Sequence, residues 1–402
     1  MADAGGDVTN DLNTLSPVER PSFVYWVSLW FAASAHAYVG LFRDIFLSED
    51  IALRVGRDFT NLWTAGRMVL NGEGPHAYNV DVFRLELLDR VGILSLQNFS
   101  YPPHALFLDA VFALPPYPVA FVLWIVFSAS AFILAARPYL PQGFPPVLAA
   151  LTPAATICMW GGQFGLLIGA LWLVVYRNCD RRPVQAGLAA AALTIKPHLG
   201  LLVAVLLITR RKALITAILA SLALFVVSGL AFGWYSWASF LVDTTRDQAD
   251  ILTRTDVQYY FNLMPTVFPH FGRGWLSWVL QAASAGFAIH MLWRLRGLSP
   301  MQLAFPAATA TFLILPYAFN YDMTVVVLGF ALLLFERWGG LSMREKVILT
   351  LGFVTPQLGF IWPPIVPVAL ALAFYVQCQQ LLRQNRDASL PNEPRTLAVV
   401  AK

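Results

Sequence analysis

Few residues in this sequence can do chemistry, because most of it is hydrocarbon. Charged residues make up 12% of the 402 positions, where a soluble globular protein carries roughly 25%. The polar groups that interrupt long apolar runs are therefore informative. Asp58 opens the stretch 57–78, RDFTNLWTAGRMVLNGEGPHAY, just after the first apolar segment. Its carboxylate can take a proton from an attacking hydroxyl. It can equally cap the helix that starts there, since Asp is a preferred N-cap. The two roles are compatible, because a capping carboxylate keeps a lone pair for a substrate. Lys196 sits in AALTIKPHLGLL, followed by Pro197 and His198. An ionisable group at membrane depth marks a functional site by default; the alternative is a lysine snorkelling from a helix end that Pro197 breaks. Ammonium and imidazole together would make a phosphate clamp.

The remaining candidates bind rather than react. Asn61 and Tyr78 lie in the same polar stretch as Asp58, and Tyr101-Pro102-Pro103-His104 closes the loop that holds it. Asp109 falls in a short apolar segment, where it must pair inside a polar cavity or lie at the interface, since an unpaired carboxylate in hydrocarbon is costly. Gly161-Gly162-Gln163 reads as a turn with an amide at its tip. Asn320, Tyr321 and Asp322 separate two apolar runs, and Asp322 reads as either a site residue or a cap. His36 reads as a packing residue, and Cys158, Cys179 and Cys378 as small hydrophobes without metal or disulfide spacing. No Gly-rich phosphate loop, zinc motif or nucleophile elbow occurs, so no metal and no cofactor is expected.

The elements that position these groups are helices. Hydrophobic residues are 58% of the chain and the mean hydropathy is +0.61, which with repeated apolar runs means an all-α polytopic membrane protein. The first span covers 23–41. A first extracytoplasmic loop, 44–101, then carries two amphipathic helices. Phe59, Leu62, Trp63, Gly66 and Leu70 mark the apolar side of one, which would lie in the membrane surface; Val80, Phe83, Leu87, Val91 and Leu94 mark the other. Segment 104–114 is too short for an ordinary crossing. Further apolar segments lie near 117–136, 144–160, 164–177, 184–195, 197–209, 213–233, 275–293, 301–318, 322–336, 346–362 and 364–382, several below the roughly 17 residues of a spanning helix. Residues 1–21 and 386–402 read as cytoplasmic tails around one catalytic domain, 22–385. Basic clusters from Arg137 to Arg386 can all be cytoplasmic if 161–163 and 196–198 are outward hairpin tips and segment 104–114 is re-entrant or interfacial. The unusual polar groups, the 234–270 loop among them, then share the extracytoplasmic face. With a net charge of only +4, nucleic acid is not an expected partner.

Taken in order, RDFTNLWTAGRMVLNGEGPHAY, YPPHALF, LPPYPVAFVLW, GGQFGLLIGALWL and AGLAAAALTIKPHLGLL resemble the bacterial membrane glycosyltransferases that include the mycobacterial α-1,2-mannosyltransferases of phosphatidylinositol mannoside synthesis, in the C-type superfamily. The resemblance covers roughly 50–210, and PYAFNYD extends it. It implies the C-type fold in a bacterial inner membrane, a polyprenyl-phosphate-linked sugar as donor, a glycolipid or polysaccharide as acceptor, and inverting transfer on the extracytoplasmic face. Asp58 then becomes the general base. Lys196 and His198 hold the donor phosphate. Gln163, Asn61, Tyr78, Tyr101, His104, Asn320 and Asp322 contact substrate. Family members often carry histidines where this chain has Asn-Tyr-Asp. The rival readings are a transporter or flippase of lipid-linked sugar and an envelope-polysaccharide assembly scaffold.

Overall fold

The computed structural model describes residues 20–46, 56–92, 98–246, 275–316, 319–362 and 364–389. The expectations for Leu94, for the loop beyond 246 and for most of both tails lie outside them. Helices follow the apolar segments closely. α1 (Phe23–Phe46) is followed by α2 (Phe59–Leu70), α3 (Val80–Val91), α4 (Ala105–Phe112), α5 (Tyr117–Ala136), α6 (Pro153–Gly161), α7 (Gly165–Asn178), α8 (Pro183–Leu193), α9 (Leu201–Ile208), α10 (Arg211–Phe232) and α11 (Trp234–Ser239). The second half supplies α12 (Trp275–Arg294), α13 (Pro300–Ile314), α14 (Thr324–Arg337), α15 (Met343–Phe353), α16 (Thr355–Ile361) and α17 (Ile365–Ser389). The last helix runs past the tail boundary expected at 385.

Local chemistry sets several of these boundaries. Thr152 caps α6 and accepts from the Ala155 amide, with Pro153 at the first position. Ser299 with Gln302, and Ser342 with Glu345, form capping boxes at the starts of α13 and α15. Asn79 caps α3, which ends on left-handed Gly92.

Among the described residues three helices are long and apolar enough to cross a membrane: 117–139, 211–232 and 365–387. With the shorter apolar helices around them they make an all-α polytopic membrane protein. α10 is the lipid-facing kind: Ile218, Leu219, Leu222, Val227 and Leu230 are all exposed. α7 and α14 are instead buried on nearly every side and form the centre. The Trp172 indole N–H donates to the Ala304 carbonyl at 2.8 Å and ties α7 to α13. α7 and α8 pack together with a short turn between them. The start of α7 and the end of α8 therefore lie at one end of the bundle, and Arg177, Arg181 and Arg182 at the other.

α2 departs from a surface helix. Phe59, Leu62 and Gly66 are buried as their spacing requires, but so are Thr60, Thr64, Ala65 and Met68, while Leu70 is exposed. The cause is α4, which packs so closely on α2 that a Cβ at Gly66 would strike the Asp109 carbonyl. The Trp63 indole N–H donates to the Pro115 carbonyl and an Arg67 N–H to the Ala113 carbonyl, satisfying the end of α4. Asp109 is 1% exposed and neither carboxylate oxygen has a hydrogen-bond partner among the described residues. It is thus enclosed against α2.

Candidate active site

Asp58 reaches its position through backbone bonds to the end of α6. The Gly56 amide donates to the Trp160 carbonyl at 2.9 Å and the Asp58 amide to the Gly161 carbonyl at 3.0 Å. Asp58 stands at the N-cap position of α2, yet its side chain makes no cap bond. The carboxylate turns instead to Gln163, whose side chain hydrogen-bonds it. The capping role expected from residue type is therefore not the one taken. Burial raises the Asp58 pKa above the ordinary carboxylate value, and the Gln163 hydrogen bond and the charges of Arg57 and Lys196 hold that rise back.

The glycines before Gln163 make this approach possible. A Cβ at Gly161 would lie 3.0 Å from Asp58 Oδ2. Gly162 ends α6 at φ +72, where a Cβ would meet the Phe59 side chain at 2.5 Å. The 161–163 turn is thus shaped around Asp58 and Phe59. Gln163 is held in turn by Tyr101, whose hydroxyl donates to Gln163 Oε1 at 3.0 Å. With Oε1 accepting from Tyr101, the amide N–H faces the carboxylate. Tyr101, Gln163 and Asp58 form a continuous line. Tyr78 stands behind it, its hydroxyl donating to the Tyr101 carbonyl at 2.7 Å.

Lys196 closes the other side. It lies three residues beyond α8, just before Pro197, and its ammonium donates to both oxygens of Asp322 at 2.8 and 2.9 Å. Both residues are 6% exposed. The ammonium also lies 4.8 Å from the Tyr321 ring centroid and 6.0 Å from that of Tyr101. Asp322, read from sequence as a site residue or a cap, is the counter-ion of Lys196. An ammonium this buried without a counter-charge would be strongly destabilising. Asp322 sits in the 3₁₀ turn Asn320–Asp322, which packs on α6 and α7. Asn320 donates from Nδ2 to the Pro356 carbonyl at 3.0 Å, which brings the start of α16 to the same end.

The other candidates lie farther along the helices. His104 Nε2 is 3.2 Å from the Thr194 hydroxyl, its ring stacks on Trp237 at 6.0 Å, and its Nδ1 is buried without a partner among the described residues. These contacts are with the end of α8 and with α11, not with the Asp58 carboxylate. His198 follows Lys196 in the 3₁₀ turn Pro197–Gly200. Asn61, one helical turn beyond Asp58, has a buried, unbonded Oδ1. Two contributors escaped the sequence reading. Tyr321 covers Lys196, and the Cys158 thiol donates to the Gln163 carbonyl at 3.2 Å while accepting from the Leu166 amide. Tyr321 had a signal, its place between Asn320 and Asp322; Cys158 had none, because its partner is set by the turn.

Arranged this way, a carboxylate with a raised pKa is fixed by a relay a short distance from a fixed ammonium. Such a site can accept a proton at one point and meet developing negative charge at another. Among the described residues no cluster of metal-ligating side chains occurs. Residues 99–316 match the model of glycosyltransferase family 87. Neither a curated protein nor a solved structure matches the sequence. Tyr101, His104, Gln163, Lys196 and His198 lie inside the matched stretch, whereas Asp58, Asn61, Tyr78, Asn320 and Asp322 lie outside it and join the site through the fold. The match spans more than half the chain and fits the C-type membrane enzymes that its motifs resemble: this protein belongs to glycosyltransferase family 87.

Proposed function

We propose that the protein transfers a sugar from a polyprenyl-phosphate donor to a hydroxyl of a glycolipid or polysaccharide, with inversion, on the extracytoplasmic face of a bacterial plasma membrane. The observation that carries this reading is the Tyr101–Gln163–Asp58 line facing the Lys196–Asp322 pair. The acceptor hydroxyl binds at Asp58. Its oxygen bonds to the anomeric carbon as its proton passes to the carboxylate. The anomeric C–O bond to phosphate breaks on the opposite side, and its electron pair leaves with the polyprenyl phosphate.

A raised pKa suits the base, because a more basic carboxylate takes the proton more readily. Lys196 has three N–H donors and gives two to Asp322. On this reading the third, with His198, meets the leaving phosphate, and a fixed geometry requires no reorganisation as charge develops. Gln163, Asn61 and Tyr101 offer hydrogen bonds to sugar hydroxyls. Asn320 and Tyr78 hold the surrounding turns. The rings near Lys196 are those of Tyr321 and Tyr101.

The test is a transfer assay in liposomes with a panel of short-chain polyprenyl-phosphate sugars and a host lipid extract as acceptor, comparing wild type with Asp58→Asn. Transfer by the wild type alone is expected, with the variant's thermal midpoint close to wild type. Equal transfer by both proteins removes Asp58 from the chemistry. No transfer from any donor by folded wild type favours transport or scaffolding.

A further inference from the structure

At the far end of α7 from Asp58 is a second cavity, of about 530 Å³, that the reaction does not use. It is lined by Arg177, Arg181 and Arg182, together with Tyr176, Asp180 and the Ser299–Met301 start of α13. α7 has 14 residues, so at a rise of ~1.5 Å per residue the cavity lies about 20 Å along the helix axis from the Gln163 turn. Its one lining acid, Asp180, is engaged by Arg210, which donates from Nε at 3.2 Å. The side chains of Arg177, Arg181 and Arg182 make no ion pair or hydrogen bond with the described residues. Three guanidiniums around one concavity repel each other unless an anion lies between them.

We propose that this cavity binds a phosphate-bearing anion. Guanidinium forks match phosphate oxygens two at a time. The start of α13, Ser299 to Met301, forms part of the same wall and adds the positive end of the helix dipole. The volume exceeds that of inorganic phosphate and suits a diphosphate or a glycerophosphate headgroup. Exposed Val184 and Leu188 on neighbouring α8 give a lipid's acyl chains a surface beside it. By the positive-inside rule this end is cytoplasmic, so either an anionic lipid headgroup or a soluble diphosphate can reach it. The assignment does not depend on the transfer mechanism, because it uses none of that site's residues.

Arginine footprinting of the wild-type full chain in detergent tests it without any variant. Phenylglyoxal modification at Arg177, Arg181 and Arg182 is measured by mass spectrometry with inorganic pyrophosphate, with dihexanoyl phosphatidylglycerol, or with dihexanoyl phosphatidylcholine as the zwitterionic control. The expected result is at least tenfold slower modification of these three with pyrophosphate or phosphatidylglycerol, and no protection of Arg337 and Arg344. Protection by pyrophosphate identifies a soluble ligand, and protection by the lipid alone a headgroup. A binding titration of R177Q/R181Q/R182Q against R337Q/R344Q should show a tenfold or greater loss of affinity in the first only. Absence of protection by every probe, or equal effects at Arg337 and Arg344, overturns the assignment.

Discussion

Asp322→Asn separates what the buried ion pair does for the fold from what it does for transfer. At 2.8 Å the attraction between unit charges is ~6 kcal/mol for an effective dielectric constant of roughly 20. Taking two ions out of water costs several kcal/mol each, so the assembled pair contributes about zero net. The asymmetry lies in breaking it. With Asn at 322 the ammonium of Lys196, 6% exposed, loses its counter-charge, and stability falls by about 3–5 kcal/mol. Over a chain of this size that lowers the thermal midpoint by on the order of 5 °C. The double variant K196M/D322L removes both charges and restores the midpoint to near the wild-type value, because two apolar side chains of similar volume need no counter-charge. Midpoints are read from intrinsic tryptophan fluorescence in detergent, and transfer from the liposome assay. Under the proposed mechanism the stable double variant still loses roughly 10²–10³-fold in kcat, since the leaving phosphate has lost its cation. A wild-type midpoint for Asp322→Asn would refute the buried-pair argument. Wild-type transfer by K196M/D322L would remove Lys196 from the reaction.

Other outcomes follow from the geometry. Gly161→Ala places a Cβ 3.0 Å from Asp58 Oδ2, so the carboxylate moves by a few tenths of an ångström; kcat falls ~10-fold or more with a near-unchanged midpoint. Burial raises the Asp58 pKa, so the acid limb of the pH–kcat profile lies above the ordinary aspartate value of roughly 3.9, activity rising with pH as the base ionises. Gln163→Leu removes a hydrogen bond that lowers this pKa, and the limb shifts further up in the same titration; a downward shift contradicts the relay. Tyr101→Phe removes the hydroxyl that holds Gln163 and lowers kcat more than it raises the donor KM.

The order of helices was legible because a membrane solvent writes them into composition: each apolar run either spans or packs, and prolines and capping residues mark the ends. The same patterns put Asp58, Gln163 and Lys196 at element ends, where polar groups accumulate. Residue type did not say which partner each would take. Asp58 looked like a cap and bonds Gln163 instead. Asp322 looked like a cap or a sugar contact and neutralises Lys196, 126 residues away. α2 looked like a surface helix, but α4 covers it because Gly66 lets the two backbones meet. Local sequence sets helix, turn and apolar face through interactions a few residues long. Which buried charge meets which, and which glycine must yield space to a carboxylate, depends on how α6, α7, α8 and the 320–322 turn converge. Those contacts exist only once the bundle has closed, and it is there that the site is decided.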